Sequence, residues 1–400
     1  MRDVARRCGV AESAVLMNSL ARKAGTGFRD PVGTPPPTSF ATPASGKAGA
    51  TPANFQIIEG PYLRDILDQP QALRSAVSGL SENASLADVA RKLAEGTLRR
   101  VVLTGMGSSL HALYPLHLAL SRRGLDSFWI ETAELLLGFD SLYRPDTLLV
   151  AVSQSGESAE IVNLLARAAE FGHVLGVTNR EGSRLGRQAG TLLLLHAGAE
   201  STVSCKSYVT TLAVLHWLGV LLCQGDRSKA LDELQAVEQR VRDYLAQWRE
   251  HVAELIALTD GLQSIFVTGR GESLATTGAA GLILKESTRH HAEGMSCAAF
   301  RHGPMEMAGA QALVLVYAGD ERVSHLNRRL VEDVIRGGGR AVLVAAEAAS
   351  AGVFRLPRTS PALQPIVEIL PVQMLSLALA ARDGREAGRF ERASKVTVVA

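Results

Sequence analysis

Cysteine is scarce in this sequence, and the few cysteines are far apart. Four occur in 400 residues, at Cys8, Cys205, Cys223 and Cys297, and no two of them form a Cys-x-x-Cys pair. Disulfide-rich scaffolds and structural zinc sites need closely grouped cysteines, so this spacing argues against both classes. We therefore expect a protein of a reducing compartment, the cytoplasm.

The sequence also lacks an excess of charge and a long apolar run. Lysine and arginine number 42 against 40 aspartates and glutamates, which gives a net charge of +2. Without a basic field we expect neither nucleic acid nor an acidic membrane surface as a partner, and any anion must be bound locally. The apolar stretch that comes nearest to membrane-spanning length, Ala213–Leu222, is too short and contains His216 and Gly219.

The composition changes before residue 56. Residues 26–54 are rich in proline, glycine, serine, threonine and alanine and have too few large apolar side chains for a core. Ahead of them, residues 3–29 have the rhythm of a helix-turn-helix and resemble a piece of the DNA-binding domain of sugar-isomerase-type transcription regulators. We interpret residues 1–55 as a disordered extension with a helix-turn-helix-like remnant.

The rest of the chain is a tandem repeat. Residues 101–110 read Val-Val-Leu-Thr-Gly-Met-Gly-Ser-Ser-Leu, and residues 265–274, 164 positions later, read Ile-Phe-Val-Thr-Gly-Arg-Gly-Glu-Ser-Leu. At the same offset the apolar run at 148–152 falls on the run at 312–316. Such near-continuous apolar runs are typical of strands buried in a parallel sheet.

Strands alternate with helical stretches in both halves. We predict strands at 101–104, 148–152, 174–178 and 192–195, and again at 265–268, 313–317 and 341–345. This alternation indicates an α/β fold in which each half is a parallel sheet flanked by helices, a three-layer sandwich. The predicted domains are 56–225, with leading helices, and 226–400, with a charged helical linker, and the length suffices for a separate core in each.

A Gly-x-Gly turn follows the first strand. A dinucleotide-binding fingerprint would have a third glycine at Leu110, so we expect no nicotinamide cofactor. Gly105 and Gly107 instead allow backbone N–H groups and the hydroxyls of Ser108 and Ser109 to converge at the carboxyl end of the sheet. A tight strand-to-helix turn would explain the glycines without the serines.

A hydroxyl-rich loop follows the next strand of the first half. It reads Ser153-Gln154-Ser155-Gly156-Glu157-Ser158 and leads into a helix near Ala159. Three hydroxyls, an amide and backbone donors can hold a phosphate monoester without lysine or metal, whereas a helix N-cap needs one hydroxyl only. The second half continues Tyr317-Ala318-Gly319-Asp320 instead, so we expect one phosphate site per chain.

Several motifs together resemble the sugar isomerase (SIS) domain pair. They are the 153–158 loop, Glu131-Thr-Ala-Glu-Leu135, Ala197-Gly-Ala-Glu200 with Lys206-Ser207, and Arg301-His302-Gly303-Pro304. Residues 60–400 are similar, in order, to the isomerase half of glutamine–fructose-6-phosphate aminotransferase, including the tail Ser394-Lys395-Val396-Thr397-Val398. The resemblance implies two SIS domains with a sugar phosphate as ligand, and we expect a homodimer.

The resemblance also assigns roles to individual residues. Beside Ser108, the contacts to phosphate and sugar fall on Ser109, Ser153, Gln154, Ser155, Ser158 and the backbone of Val203. Glu286 matches the proton-transferring carboxylate and His302 the ring-opening base. The chemistry needs these types, because moving a carbonyl between C1 and C2 requires ring opening and a base that shuttles one proton.

Each of these two residues also has an ordinary explanation. Glu286 lies on an apolar helix, which would raise the pKa of its carboxyl, but Lys285-Glu286 could be an exposed charge pair. His302 could be a loop histidine with no ligand. The pair His290-His291 with Glu293 hints at a metal, but adjacent residues rarely converge on one ion, and we expect none.

The sequence departs from the family pattern in three respects. Seven and three residues before Glu286, where the family has Glu and Lys, stand Ala279 and Ile283. The family's Schiff-base lysine aligns with Ser394, and Lys395 takes that role only if the extended tail is realigned by one residue, which reverses the side chain. The family's glutaminase domain has no counterpart in the first sixty or so residues, so we expect no release of ammonia from glutamine.

The predicted function is a glutamine-independent reaction of phosphorylated amino sugars. Its simplest form converts glucosamine 6-phosphate to fructose 6-phosphate and free ammonia, as in SIS-type glucosamine-6-phosphate deaminases. A deglycase that splits fructosamine phosphates and a pure aldose–ketose isomerase stay open as alternatives. A non-catalytic sugar-phosphate sensor also stays open, and it is favoured by Ala279, Ile283 and the helix-turn-helix-like start.

Overall fold

Two parallel sheets organise the part of the chain that the structure describes. The structure is a computed structural model, and it describes residues 55–346, 350–392, 394 and 395. The predicted disordered extension and its helix-turn-helix-like segment lie outside the described residues as far as residue 54.

The strands of each sheet are all parallel. They are β1 (Arg100–Gly105), β2 (Asp126–Glu131), β3 (Thr147–Val152), β4 (His173–Thr178), β5 (Thr191–Leu194), β6 (Ser264–Gly269), β7 (His291–Ser296), β8 (Ala312–Tyr317) and β9 (Arg340–Val344). The first sheet has the order β2-β1-β3-β4-β5, and the second repeats its first four places as β7-β6-β8-β9. The predicted α/β class with two parallel sheets flanked by helices is confirmed.

Helices connect the strands and cover the sheets. In the described ranges they are α1 (Pro61–Leu67), α2 (Gln69–Ser78), α3 (Ala84–Ala94), α4 (Gly107–Ala112), α5 (Tyr114–Arg122), α6 (Thr132–Gly138), α7 (Ala159–Leu165), α8 (Arg184–Gln188), α9 (Lys206–Leu222), α10 (Arg227–Leu245), α11 (Trp248–Leu258), α12 (Ser273–Thr288), α13 (Cys297–Arg301), α14 (Glu321–Arg336) and α15 (Gln364–Arg382). The predicted charged linker is therefore two helices, α10 and α11.

The central strands are the ones that the apolar pattern predicts. Every residue of β3 and β8 is buried, as expected for strands covered on both faces. β2 and β7, one edge strand of each sheet, have no counterpart among the predicted strands, and most of their side chains are only partly buried. β7 reads His-Ala-Glu-Gly-Met-Ser, which lacks a continuous apolar run.

The second half contains one more residue between β6 and β8 than the first half contains between β1 and β3. Val101 pairs with Leu148 in the first sheet, whereas Ile265, 164 positions after Val101, pairs with Leu313 in the second. The gapless alignment, which places Leu148 on Ala312, is therefore wrong by one residue. In a strand such a slip would exchange the two faces of the sheet, so the structural register decides which residues are equivalent.

The two halves share one apolar core. A single cluster of buried side chains reaches from Tyr62 and Val101 in the first half to Ile265 and Leu375 in the second. Smaller clusters cover the opposite face of each sheet. Among the described residues, each half thus has a small apolar cluster of its own, and both halves contribute to one larger cluster that they share.

Helix α4 of the first half packs on helix α12 of the second. The imidazole of His111 lies over Gly278, where an added Cβ would come within 2.3 Å of its Nδ1 atom. Burial lowers the pKa of His111 to about 4, and the nearby charge of Lys285 contributes in the same direction. Gly278 thus permits a close approach between the helix that carries Ser108 and the helix that carries Glu286.

One helix is long and apolar enough to cross a membrane by length and composition. It comprises Pro361–Arg382, and 89% of its most apolar window is buried inside the protein. Its neighbours are α11 and α12, so it is a core helix of the fold. Cys205, Cys223 and Cys297, the cysteines within the described ranges, are free thiols.

Candidate active site

A cavity of about 700 Å³ lies at the carboxyl end of the first sheet. Its lining comes from the loops after β3, β4 and β5, from helix α2 and from the chain's C-terminal tail: Ser75, Gln154, Ser155, Asn179, Arg180, His196, Gly198, Ala199, Glu200 and Lys395. Open α/β sheets bind ligands at this edge, because the loops after neighbouring parallel strands meet there. Three predicted site residues, Gln154, Ser155 and Lys395, line this cavity together.

Ser108 and Ser109 begin helix α4 after the neighbouring strand β1. Gly105, the last residue of β1, pairs with Val152, and an added Cβ there would come within 2.9 Å of the Val152 carbonyl oxygen. The chain that leads from β1 to the two serines therefore leaves the sheet next to the 153–158 loop. Within the described part of the chain, the buried hydroxyl of Ser108 has no hydrogen-bond partner.

The 153–158 loop folds back on its own hydroxyls. Ser153 Oγ accepts a hydrogen bond from the Gly156 amide at 3.1 Å, and Ser155 Oγ accepts one from the Glu157 amide at 3.2 Å. Gly156 has a φ of +64°, and an added Cβ would come within 2.1 Å of a neighbouring serine hydroxyl, so the turn requires glycine. The hydroxyl hydrogens of both serines stay available to a ligand, since both oxygens accept these bonds.

Two further features suit this loop to an anion. The hydroxyl of Ser158, just before α7, is buried and has no partner among the described residues. A buried hydroxyl without a partner is costly, and a ligand oxygen would satisfy it. The one carboxylate of the loop, Glu157, accepts the Arg184 amide at 2.7 Å and pairs with the Arg184 guanidinium at 3.6 Å.

Asn179 joins three loops of the cavity. Its amide N–H donates to the Gln154 carbonyl at 3.1 Å. Its side-chain oxygen accepts the Ala197 N–H at 2.9 Å, and its side-chain nitrogen donates to the Gly198 carbonyl at 2.7 Å. One side chain thus fixes the loop after β5 against the loop after β4, and its backbone ties both to the 153–158 loop.

Replacing Asn179 with Ala should loosen the loop after β5. We expect a loss of about 1–3 kcal/mol in unfolding free energy, because two side-chain hydrogen bonds are lost, and faster hydrogen exchange of the Ala197 amide. Urea unfolding and exchange measured by mass spectrometry would show both effects. Asn83→Ala is the matched control, since Asn83 caps α3 by accepting the Leu86 N–H and its loss should destabilise without faster exchange at Ala197. Unchanged exchange in Asn179→Ala would contradict this role.

Glu200 is a buried carboxylate at the start of helix α9. It accepts the Cys205 and Ser207 amides at 2.9 and 3.1 Å and the Ser207 hydroxyl at 2.6 Å. Burial opposes its ionisation, but the charge of Lys395 and these donors hold the pKa of Glu200 below its ordinary value. In the sequence Glu200 is only the last residue of a family motif, and the structure adds it to the site.

Lys395 brings the tail to the cavity. Its amino group donates to Glu200 Oε2 at 2.7 Å and to the Thr202 carbonyl at 2.6 Å. The amino group is thus held by a fully buried carboxylate and a backbone carbonyl. Val203 follows in the same turn with its side chain wholly buried, so a contact from Val203 to a ligand would have to come from its backbone.

Glu286, on helix α12, is not among the residues that line the cavity, but it interacts electrostatically with the Glu200–Lys395 pair. Burial raises the pKa of Glu286, the charges of Lys395 and Lys285 lower it, and the charge of Glu200 raises it further. Glu286 is therefore within electrostatic reach of both members of the Glu200–Lys395 pair. A carboxyl whose pKa is raised is suited to accept and return a proton near neutral pH.

The departures from the family pattern on this helix are buried. Ala279 and Ile283 are wholly inaccessible to solvent in the shared core. Neither position can supply a charge to the site. The charges within reach of Glu286 come instead from Lys285, Lys395 and Glu200.

His302 is not brought to the cavity. It is an exposed residue at the end of helix α13 in the second half, and it is absent from the cavity lining. Its role as ring-opening base therefore stays a prediction. The cavity does contain another histidine, His196, whose φ of +47° is unusual for a residue with a side chain.

The loop of the second half that is equivalent to 153–158, residues 318–323, contains no serine or threonine. The Ser153 N–H donates to the Val177 carbonyl on β4, and the Ala318 N–H donates to the Val344 carbonyl on β9. Because β4 and β9 occupy the same place in their sheets, Ala318 and not Tyr317 is equivalent to Ser153. This corrects the predicted alignment by one residue. The carbonyls of Tyr317 and Ala318 are already bonded to Asn327, at 2.9 and 3.1 Å. The expectation of one phosphate site per chain stays a prediction.

The histidines next to β7 have partners of their own. His290 Nε2 lies 2.7 Å from an Arg382 nitrogen and 3.5 Å from Asp383, while His291 lies 4.0 Å from Glu293. The described residues contain no group of three or more His, Cys, Asp or Glu side chains placed to hold a metal ion.

Comparison with known proteins identifies the class of domain. Residues 97–221 match the protein-family model described as SIS domain, so the chain contains an SIS domain. Over 357 residues the chain is 28% identical to glutamine–fructose-6-phosphate aminotransferase (isomerizing) of Pyrococcus horikoshii, a match that covers 84% of this chain. The same match covers 57% of that relative, so the chain spans little more than half of its length.

Solved structures share the fold. The C-terminal domain of glucosamine-fructose-6-phosphate aminotransferase from Francisella tularensis gives a TM-score of 0.73 at 19% identity, covering 83% of this chain and 98% of that one. Glucosamine-6-phosphate deaminase from Thermotoga maritima gives 0.69 at 18% identity, covering 85% and 100%. At these identities the likeness shows the fold alone.

Proposed function

We propose that the chain is a phosphosugar enzyme that converts glucosamine 6-phosphate and water to fructose 6-phosphate and ammonia, without glutamine. One observation carries the proposal: hydroxyl and amide groups of the 153–158 loop share a cavity with the Glu200–Lys395 pair, and that pair is within electrostatic reach of Glu286. The first group of residues suits a phosphate, and the second suits proton transfer and an amine. The proposal treats the second half, whose sheet has the same strand order, as a second SIS domain.

The phosphate is held at the carboxyl end of β3. Gln154 and Ser155 present an amide and a hydroxyl to the cavity, and the nearby hydroxyls of Ser108 and Ser158 are without partners among the described residues. Ser109 and Ser153 complete this group. The sugar then extends toward Glu200 and Lys395 on the other loops of the same cavity.

Replacing Ser155 with Ala should weaken the binding of fructose 6-phosphate by roughly 1–3 kcal/mol, because a hydrogen bond to a charged group is lost. Calorimetry on the intact chain would measure this change and should find one site. Ser121→Ala, at an exposed position of α5, is the control and should bind normally. Two equivalent sites, or unchanged affinity in Ser155→Ala, would contradict the assignment.

Glu286 moves the proton. In the open-chain sugar it takes the proton from C2 while the C1 oxygen gains a proton, which leaves an enolamine. It then returns its proton to C1 while the nitrogen loses one to solvent, which gives an imine at C2. Water then adds to the imine, and ammonia leaves as the C2 ketone forms. Lys395, held by Glu200, supplies a fixed positive charge for the oxygen or nitrogen that gains electrons.

The other functions predict different products from the same cavity. A deglycase would release an amine other than ammonia from a fructosamine phosphate, and a pure isomerase would interconvert aldose and ketose phosphates without releasing nitrogen. A sensor would bind and not react, and the buried apolar Ala279 and Ile283 favour it. A panel of these phosphosugars, scored for ammonia, amine and ketose release by the purified chain, tests the proposal. Ammonia from glucosamine 6-phosphate is the expected result, and binding without any product would overturn it.

The proposal also includes a cytoplasmic homodimer. Large apolar side chains are exposed at Leu137, Phe139 and Met307, with 81%, 39% and 55% of their surface accessible. Exposed apolar groups of this size suit association with a second copy. Light scattering of the purified chain would measure the assembly.

A further inference from the structure

We infer that Arg180 binds the phosphate of the substrate and makes the site selective for phosphorylated over neutral sugars. The inference rests on the proposed function. The sequence predicts a cradle of hydroxyls and backbone donors without any cation, whereas in the structure Arg180, an exposed residue, lines the same cavity as Gln154 and Ser155.

The backbone of Arg180 is fixed to the cradle. Its N–H donates to the Thr178 hydroxyl at 3.3 Å, and that hydroxyl donates to the Gln154 carbonyl at 3.2 Å. On the other side, the Arg180 carbonyl accepts bonds from the Ser183 amide at 3.1 Å and hydroxyl at 2.7 Å. The backbone from which this side chain extends is therefore held beside the 153–158 loop by Thr178 and Ser183, which are buried.

The charges of the cavity leave Arg180 uncompensated. Three lining residues carry a formal charge: Arg180, Glu200 and Lys395. Glu200 and Lys395 neutralise each other through their 2.7 Å ion pair. Glu157, the acidic residue of the cradle, is paired with Arg184. The structure shows no ion pair of Arg180 within its described ranges, so the lining carries one excess positive charge next to the hydroxyls.

A phosphate monoester is the ligand group that this arrangement fits. Its charge near neutral pH is about −1.5 to −2, more than one guanidinium neutralises, and its oxygens can accept bonds from hydroxyls, an amide and a guanidinium at once. The planar guanidinium offers two parallel donors to two phosphate oxygens, which a lysine cannot do. Arg180 therefore favours phosphorylated over neutral sugars through its charge, whereas the hydroxyls recognise the arrangement of the phosphate oxygens.

The test is calorimetry with the full chain and three ligands: fructose 6-phosphate, inorganic phosphate and fructose. Arg180→Gln should lose about 10- to 100-fold in affinity for both phosphates and keep the affinity for fructose. The affinity of Arg180→Lys for both phosphates should fall between those of the wild type and Arg180→Gln. The affinity of Arg180→Gln for fructose 6-phosphate should also depend less on salt than that of the wild type. Arg99→Gln removes an exposed arginine just before β1, at the opposite edge of the sheet, and should bind like the wild type.

Two results would overturn the inference. In the first, Arg180→Gln binds fructose 6-phosphate as tightly as the wild type. In the second, it loses affinity equally for fructose 6-phosphate and fructose, which would show a structural role. Failure of the wild type to bind any phosphosugar would instead overturn the proposed function itself.

Discussion

Glu286→Gln is expected to slow proton exchange at C2 of the sugar by at least 100-fold while leaving affinity for fructose 6-phosphate nearly unchanged. Gln keeps the size of the side chain and removes the base, and a positioned general base contributes about 10²–10⁴-fold. The half-buried carboxyl is on helix α12, within electrostatic reach of the Glu200–Lys395 pair and not within the phosphate-binding loop. The substitution should therefore lower the rate of proton exchange without weakening the binding of the sugar phosphate. Exchange in deuterated water, followed by nuclear magnetic resonance, measures the rate.

The control for this experiment is Glu293→Gln. Glu293 is a glutamate on the edge strand β7, outside the cavity lining, with 46% of its side chain exposed. It should exchange like the wild type. Wild-type exchange in Glu286→Gln would show that another group is the base, or that the chain senses sugars without reacting.

Glu368→Gln is expected to make the protein more stable at pH 8 than the wild type by about 3 kcal/mol, with little difference near pH 4.5. Glu368 is wholly buried on helix α15, where it accepts hydrogen bonds from Ser273 at 2.7 Å and Thr276 at 3.0 Å. Burial raises the pKa of Glu368 to about 7, although both hydroxyls lower it. Between its unfolded pKa and 7 only the unfolded chain loses the proton, so wild-type stability falls as the pH rises.

The measurement is urea unfolding of both proteins from pH 4.5 to 8. Gln can accept a bond from one hydroxyl and donate to the other, so the packing between α12 and α15 should be kept. Glu95→Gln, at the exposed residue that follows helix α3, is the control and should show no such pH-dependent gain. A difference between Glu368→Gln and the wild type that does not grow with pH would contradict a buried neutral carboxyl.

The sequence contains enough information for the central strands and for half of the site. Strands such as β3 and β8 are apolar at nearly every position because both faces are covered, and this pattern predicts them without a structure. The 153–158 loop can be predicted as well, because its hydroxyl-bearing residues directly follow one of these strands. Two of the four edge strands, β2 and β7, are not predicted, because a partly buried segment such as β7 contains no continuous apolar run.

The rest of the site depends on distances that no local pattern contains. Asn179 and Arg180 follow a correctly predicted strand, so a rule that inspects every strand end would have found them. The ion pair of Glu200 with Lys395 joins residues 195 positions apart, and only the folded tail reveals it. The one-residue gain in the second half is likewise seen in strand pairing alone.

The most direct test of the account is to incubate the purified chain with glucosamine 6-phosphate in deuterated water, without glutamine, and to follow ammonia and deuterium together. The account predicts that ammonia and fructose 6-phosphate form in equal amounts and that solvent deuterium enters the sugar at the carbons that exchange protons. Binding of the phosphosugar with neither ammonia nor deuterium incorporation would contradict it.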